Sequence, residues 1–246
     1  TKFQGDTPSI SGVYKTQEGR PINQLYLITV DRIVRDQADL DYVQSLVDRN
    51  PDYFATYQRP ELGDFLYADA NGDGRLDAAD RVEIGHGQLP RFTYGASFAL
   101  QWNGFDFGIM LQGTGNHHVY YNNQAFRFTT VMGQSLNKDI ADNAWTPQNP
   151  YSSKYPILRN NANPKNDVAS DAFVHNAAYL RCKNIRLGYT IPQRITRKFF
   201  VENLKFYASI DNLFTITGFP GFDPEIGANV GYPAVRQYSV GVNITF

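Results

Sequence analysis

Residues 92–112 read FTYGASFALQWNGFDFGIMLQ. Phe92, Tyr94, Ala96, Phe98, Leu100 and Trp102 alternate with Thr93, Gly95, Ser97, Ala99 and Gln101. A period of two is the spacing of a strand with one apolar face and one small or polar face. Asn103-Gly104 follows, the pair that best accepts the positive φ angles of a two-residue hairpin turn. The returning strand places Phe105, Phe107, Ile109 and Leu111 on one side and Asp106, Gly108, Met110 and Gln112 on the other.

The same alternation predicts three more strands. One runs from about Ala178 to Ile191, with Ile185, Leu187 and Tyr189 on its apolar face and a first half irregular enough to hold a bulge. Another carries Leu204, Phe206, Ala208 and Ile210, and the last carries Tyr238, Val240, Val242, Ile244 and Phe246. Each is about ten residues long, matching the ~9–11 that a tilted strand needs to cross a bilayer. The connections alternate: short at 103–104, long at 113–175, short at 192–203, long at 215–233. Membrane barrels of the outer-membrane type have this asymmetry, with short periplasmic turns and long external loops. Aromatic residues stand at strand ends (Trp102, Phe105, Tyr189, Tyr238, Phe246), where an interfacial girdle requires them. The competing reading is a soluble antiparallel sandwich whose apolar face is its core. The terminal Phe246, with apolar residues at every second position before it, favours the barrel. Five strands cannot close one, since about eight is the minimum. The expectation is therefore all-β: the C-terminal five strands of a larger barrel, ending on the periplasmic side.

Composition bounds the alternatives. The chain has 246 residues, 42% hydrophobic, 19% charged and 14% aromatic, with a formal charge of −1. That balance disfavours a nucleic-acid partner held by bulk charge. The single cysteine, Cys182, excludes an internal disulfide framework. A mean hydropathy of −0.43 is compatible with a barrel, in which only alternate residues face lipid. Thr1-Lys2-Phe3-Gln4-Gly5 does not read as a signal peptide. Residues 1–90 form the first expected region, external loop structure with one strand at Ile22–Val30. A short helix follows, capped by Asp36, with Leu40, Val43, Leu46 and Val47 on one face. Residues 91–246 form the second, the five strands and their loops.

An ordered set of segments carries a resemblance. GDFLYADANGDGRLDAADRVEIG (63–85), LPRFTYG (89–95), WNGFDF (102–107) and QGTG (112–115) are followed by AWTPQNP (144–150), AAYLRCKNIRLGYTIP (177–192), FYASIDNLFT (206–215), GFDPE (221–225), YP (232–233) and VGVNITF (240–246). In this order they resemble the C-terminal end of the SusC/RagA family of TonB-dependent outer-membrane transporters of Bacteroidetes. The resemblance implies a plugged barrel of roughly 22 strands. It implies import of oligosaccharides, peptides or similar nutrients, driven through TonB, beneath a SusD-like surface lipoprotein that acts as a lid. Plug and TonB-contacting segment would belong to the rest of that barrel. Cys182 departs from the family, where an aliphatic residue is commoner.

The sharpest chemical motif is Asp69-Ala-Asn71-Gly-Asp73-Gly-Arg75-Leu-Asp77-Ala-Ala-Asp80. It has the oxygen spacing of an EF-hand loop, with the Arg75 carbonyl as one donor, and predicts a Ca2+ ligand set of Asp69, Asn71, Asp73, Arg75, Asp77 and Asp80. Asp80 is shorter than the usual bidentate Glu, and the other reading is an acidic turn held by side-chain-to-backbone hydrogen bonds. Tyr120, Tyr121 and Trp145, in the long loop, are candidates for stacking on substrate or packing against the lid. Packing of the loop on itself is the alternative. Asp223-Pro224-Glu225 reads as a structural loop contact. No GxSxG, HExxH or Walker sequence occurs, and no residue set argues for an enzyme. The functional alternative to transport is a soluble, calcium-stabilised sandwich that binds glycans or mediates adhesion.

Overall fold

A computed structural model describes residues 7–87, 89–123, 126–130, 135–160, 163–229 and 231–246; the N-terminal five residues discussed above lie outside this set. The chain divides into two compact units, residues 1–88 with 119–175 and residues 89–118 with 176–246.

The second unit is one antiparallel meander. Its strands are β1 (Phe92–Trp102), β2 (Phe105–Gly115), β3 (Tyr179–Thr190), β4 (Asn203–Asp211) and β5 (Gln237–Thr245), hydrogen-bonded in chain order. A short strand, Thr215–Thr217, adds to the start of β3. Trp102 pairs with Phe105 across Asn103 and Gly104, whose φ angles of 48° and 88° are those of the hairpin turn that the sequence predicts. The register of β3 on β2 shifts between Cys182 and Asn184, so the expected bulge falls at Lys183. Beyond it Ile185 and Leu187 pair with Ile109 and Phe107, and apolar residues line up on one face.

That face is bare. Phe92, Phe98, Leu100, Leu187, Val240, Val242 and Ile244 are each at least half exposed, Val240 at 87%. A sandwich would bury these side chains as its core, so the soluble reading loses its central requirement. The opposite face carries polar residues. Asp106 on β2 and Lys205 on β4 form an ion pair at 2.6 Å although β3 runs between them. They meet over Gly188, where an added Cβ would lie 2.6 Å from Asp106 Oδ2 and 2.8 Å from Lys205 Cε. On the apolar face Tyr94 of β1 crosses β2 at Gly113, and its hydroxyl donates to the Tyr179 carbonyl of β3 at 3.0 Å.

The first unit has a core in the ordinary sense. Leu25, Leu27, Ile28, Val34, Val43, Leu46, Phe65, Leu66 and Leu76 are buried in it. The strand expected at Ile22–Val30 is two strands, Gln24–Leu27 and Val30–Ile33, because Ile28 turns aside to bridge Ser170. The helix α1 (Gln37–Arg49) starts where Asp36 accepts the Asp39 N–H at 3.1 Å, and it buries Val43 and Leu46. The stretch read as a loop over 113–175 divides. β2 extends to Gly115, and residues 119–175 belong to this unit, contributing Tyr121, Phe126, Phe128, Ile140, Trp145 and Phe173 to the buried set. Its elements are short, among them a helix at Lys138–Asn143 and a parallel ladder of Thr129–Thr130 with Arg159–Asn160. A buried polar cluster fastens these pieces. Asp64, fully enclosed, takes Arg159 Nη2 at 2.8 Å and Asn166 Nδ2 at 2.9 Å, and Asn166 Oδ1 accepts the Phe65 N–H at 2.8 Å.

The two crossing glycines differ in what a side chain would meet. At Gly113 the nearest atom is the Tyr179 carbonyl oxygen, backbone, at 2.2 Å; at Gly188 the nearest atoms are side-chain ends free to swing away. Gly113→Ala is therefore expected to cost about 1–3 kcal/mol, and Gly188→Ala less than about 1 kcal/mol through loss of the ion pair. Urea unfolding of the detergent-solubilised receptor followed by gel mobility compares the two, and equal losses would refute the distinction.

Candidate functional site

The acidic loop folds as a chain of local hydrogen bonds. Asp69 accepts from the Gly72 N–H at 2.7 Å and the Gly74 N–H at 2.9 Å, one on each carboxylate oxygen. Asn71 Oδ1 accepts the Asp73 N–H, Asp73 Oδ1 the Arg75 N–H and Asp77 Oδ1 the Ala79 N–H. Asp80 is fully buried, with Oδ1 on the Ala70 N–H (2.9 Å) and Oδ2 on the Asp77 N–H (2.8 Å). Leu76 anchors the loop inward, its N–H donating to the Tyr53 carbonyl, while Asn50 Nδ2 donates to the Gly74 carbonyl at 2.7 Å. Burial, reinforced by the nearby Asp69 charge, pushes the Tyr53 hydroxyl up to about 12. The side-chain oxygens predicted as ligands thus serve backbone amides. Among the described residues no three His, Cys, Asp or Glu side chains are gathered as a metal site.

Two of the three aromatic candidates are corrected. Tyr121 is 1% exposed and Trp145 6% exposed, so neither presents a face to substrate or lid. Additional chain can only increase that burial. Tyr121 packs edge-on against Phe126, which is itself buried. Tyr120 is half-buried, its ring against Phe173 and its hydroxyl accepting from Asn122 Nδ2 at 2.9 Å.

In the second unit Asp223 and Glu225 join a charged cluster whose cations, Arg181 and Lys183, the sequence reading did not assign to them. Arg181, at the start of β3, is enclosed with Asp223, and Nη2 lies 2.7 Å from Asp223 Oδ1. Its Nη1 pairs with Glu225, which also takes Lys183, and its Nε donates to Thr215 Oγ1 at 2.8 Å. Asp223 Oδ2 accepts the Ala234 N–H at 2.8 Å, closing the loop on itself. Burial alone would raise the Asp223 carboxyl; the Ala234 amide and the Arg181 guanidinium outweigh it and hold the group below the usual carboxylate range. Both carboxylates of Asp223-Pro224-Glu225 are thereby engaged, which agrees with a structural loop contact. The one local signal was the pair of cations, Arg181 and Lys183, beside the bulge; their acidic partners lie some 42 residues further along the chain.

Removing one partner of this pair leaves the other charge buried. Arg181→Met is expected to cost about 3–5 kcal/mol, and the double variant Arg181→Met/Asp223→Asn distinctly less. Unfolding midpoints of the solubilised receptor test the order; a double variant as unstable as the sum of the singles would contradict it.

No family model matches the chain. Two TonB-dependent receptors of Formosa agariphila are 30% and 31% identical over 203 and 199 residues, 75% of this chain in each case. The TonB-dependent receptor SusC of Bacteroides thetaiotaomicron is 27% identical over 185 residues. The chain spans about a fifth of the length of these curated relatives, 19%, 19% and 17% respectively. Among solved structures, the RagAB peptide transporter matches 95% of the chain at 24% identity with a TM-score of 0.69. The RagAB peptide importer in its closed-closed state matches 99% at 23% identity with a TM-score of 0.71, and this chain covers 25% of that one. The single continuous meander, its bare apolar face and this agreement in sequence and fold lead to one assignment: the chain belongs to the SusC/RagA family of TonB-dependent outer-membrane transporters, of which it carries a five-strand segment.

Proposed function

We propose that the chain is a section of wall and external loop in a TonB-dependent importer of oligosaccharides, peptides or similar nutrients. The observation that carries this reading is the bare apolar face of β1–β5 opposite a polar one. In that arrangement the turns at 103–104 and 191–202 face the periplasm, as does the C-terminus. The connections on the other side, with the unit built from 1–88 and 119–175, are external. A SusD-like lipoprotein is the partner proposed on the external side. TonB acts through the plug-bearing remainder of the same barrel. The role is transport, not catalysis: Asp223 and Glu225, the one carboxylate pair worth weighing as acid and base, are already spent on Arg181 and Lys183.

Val240 and Ser239 are neighbours on opposite faces of β5, paired with Ala208 and Ser209. Arginine on the lipid face near mid-bilayer costs ~2–4 kcal/mol, whereas a lumen-facing one does not meet hydrocarbon. In the whole receptor, Val240→Arg should lower surface assembly and Ser239→Arg should leave it near wild type, as measured by heat-modifiable gel mobility of outer-membrane fractions. Equal behaviour of the two would remove the membrane reading.

For the acidic loop we propose calcium on residue types and spacing alone. Asp69, Asn71, Asp73, Asp77, Asp80 and the Arg75 carbonyl would hold the ion, and its chemistry would be structural, neutralising crowded carboxylates. Titration of the chelator-treated receptor with Ca2+ in a calorimeter should give a saturable heat that Asp69→Ala/Asp73→Ala abolishes. An unchanged heat in that variant, or none in the parent, would leave the hydrogen-bonded turn as the full description.

A further inference from the structure

The turn between β3 and β4 is built unlike the tight hairpin at 103–104. Residues 191–202 contain a short helix at Gln193–Thr196 and a 3-10 turn at Arg197–Phe199. The Val201 N–H reaches back to the Thr196 carbonyl and the Phe200 N–H to the Arg197 carbonyl, which closes the helix end with Phe200 in the left-handed region at φ 58°. Glycine is the usual residue at such a closure, since a Cβ is strained there. Here the position holds a phenylalanine that is 90% exposed, beside Phe199 at 71% and Ile195 at 52%. No packing among the described residues rewards that choice.

The charges of the turn are equally one-sided. Arg194, Arg197 and Lys198 are exposed, and none is ion-paired among the described residues; Arg197 bonds only Gln193 Oε1, at 3.2 Å. The turn hangs from the sheet end that carries Trp102, Phe105 and Tyr189, with the Phe105 and Tyr189 rings 4.4 Å apart and Trp102 exposed. Phe246 stands at the same end, just past the Asn203–Thr245 pair. The turn thus brings exposed apolar side chains and three exposed cations to the sheet end that carries the exposed aromatics, the combination of groups that a headgroup–acyl boundary accommodates.

We propose that residues 194–200 are an interfacial anchor: Ile195, Phe199 and Phe200 insert into the headgroup–acyl boundary while Arg194, Arg197 and Lys198 bind lipid phosphates. The inference rests on the membrane reading of β1–β5 and adds a second mode of lipid contact, through a turn. It also accounts for a strained phenylalanine held in the open. The medium that rewards exposure is hydrocarbon, and the strained closure is what turns the ring outward.

The test uses the whole receptor in liposomes, with nitroxide labels at Phe200→Cys, Val240→Cys and Tyr151→Cys in separate variants. Cys182 is buried and is not labelled. Collision rates with dissolved oxygen and with a water-soluble nickel chelate report whether each site lies in lipid or water. Val240 should read as lipid, Tyr151 as water, and Phe200 as lipid at shallow depth. Phe200 should move deeper when phosphatidylglycerol is mixed into phosphatidylcholine, and Arg194→Gln/Arg197→Gln/Lys198→Gln should abolish that shift. A lipid signal at Val240 with an aqueous one at Phe200 overturns the anchor and leaves the barrel standing. Aqueous signals at both overturn the barrel reading itself. A label at Phe200 that is aqueous in liposomes but shielded from both probes in native membranes assigns the surface to a protein partner and overturns the proposal. A lipid signal with no dependence on phosphatidylglycerol, or a shift that survives the triple Gln change, overturns the assignment of the cations to lipid phosphates.

Discussion

A strand in hydrocarbon has nowhere to send its N–H and C=O groups except to neighbouring strands, and an unpaired group there costs several kcal/mol. The rest of the second unit follows from that constraint. β2, β3 and β4 are bonded on both sides along most of their length, while β1 and β5 each keep one edge without a partner among the described residues. Those edges must be closed by other strands for the sheet to exist in a membrane. That agrees with a chain covering about a quarter of the RagAB transporter it resembles in fold. The ladders also fix which side chains face lipid, because every register is set by a hairpin, a bulge or a pairing that shifts only at Lys183.

Once the ladders are fixed, stabilisation between strands has to come from side chains that reach across them. The sheet does this over glycine. Tyr94 crosses β2 at Gly113 to reach β3, and Asp106 and Lys205 meet over Gly188. In both cases a middle strand gives up its side chain so that two outer ones can touch. On the polar face this joins opposite charges that would otherwise stand two strands apart. On the apolar face it gives the tyrosine hydroxyl a carbonyl acceptor, so that no unsatisfied polar group is presented to lipid.

The strands, the hairpin and the bulge were legible because two faces in contrasting media impose a period of two, and a break in that period marks the extra residue. The helix was legible from its cap and from the spacing of Val43 and Leu46. Residues 119–175 were not. Phe128, Ile140 and Phe173 enter their core from loops and one-turn elements, at intervals that follow no period. For the same reason Tyr121 and Trp145 looked like free recognition residues: an aromatic in an aperiodic stretch carries no sign of whether it points in or out. In the acidic loop, Asp80 turns inward onto backbone amides, an orientation that spacing does not record. Arg181 and Asp223 lie 42 residues apart, beyond the reach of any local pattern.

The two ends of the sheet are stabilised differently. Ala177, Tyr179, Arg181, Cys182, Phe219 and Asp223, nearly all of the second unit's buried side chains, gather where β3 begins. The other end has an ion pair, an aromatic contact and a turn whose largest side chains are exposed. An end that carries long loops into water must hold itself together by protein packing, and a buried, fully hydrogen-bonded ion pair then fixes where the loop leaves the strand. An end that carries only short turns has too little chain to build a core. Its apolar groups gain stability only where the surroundings supply the apolar contacts.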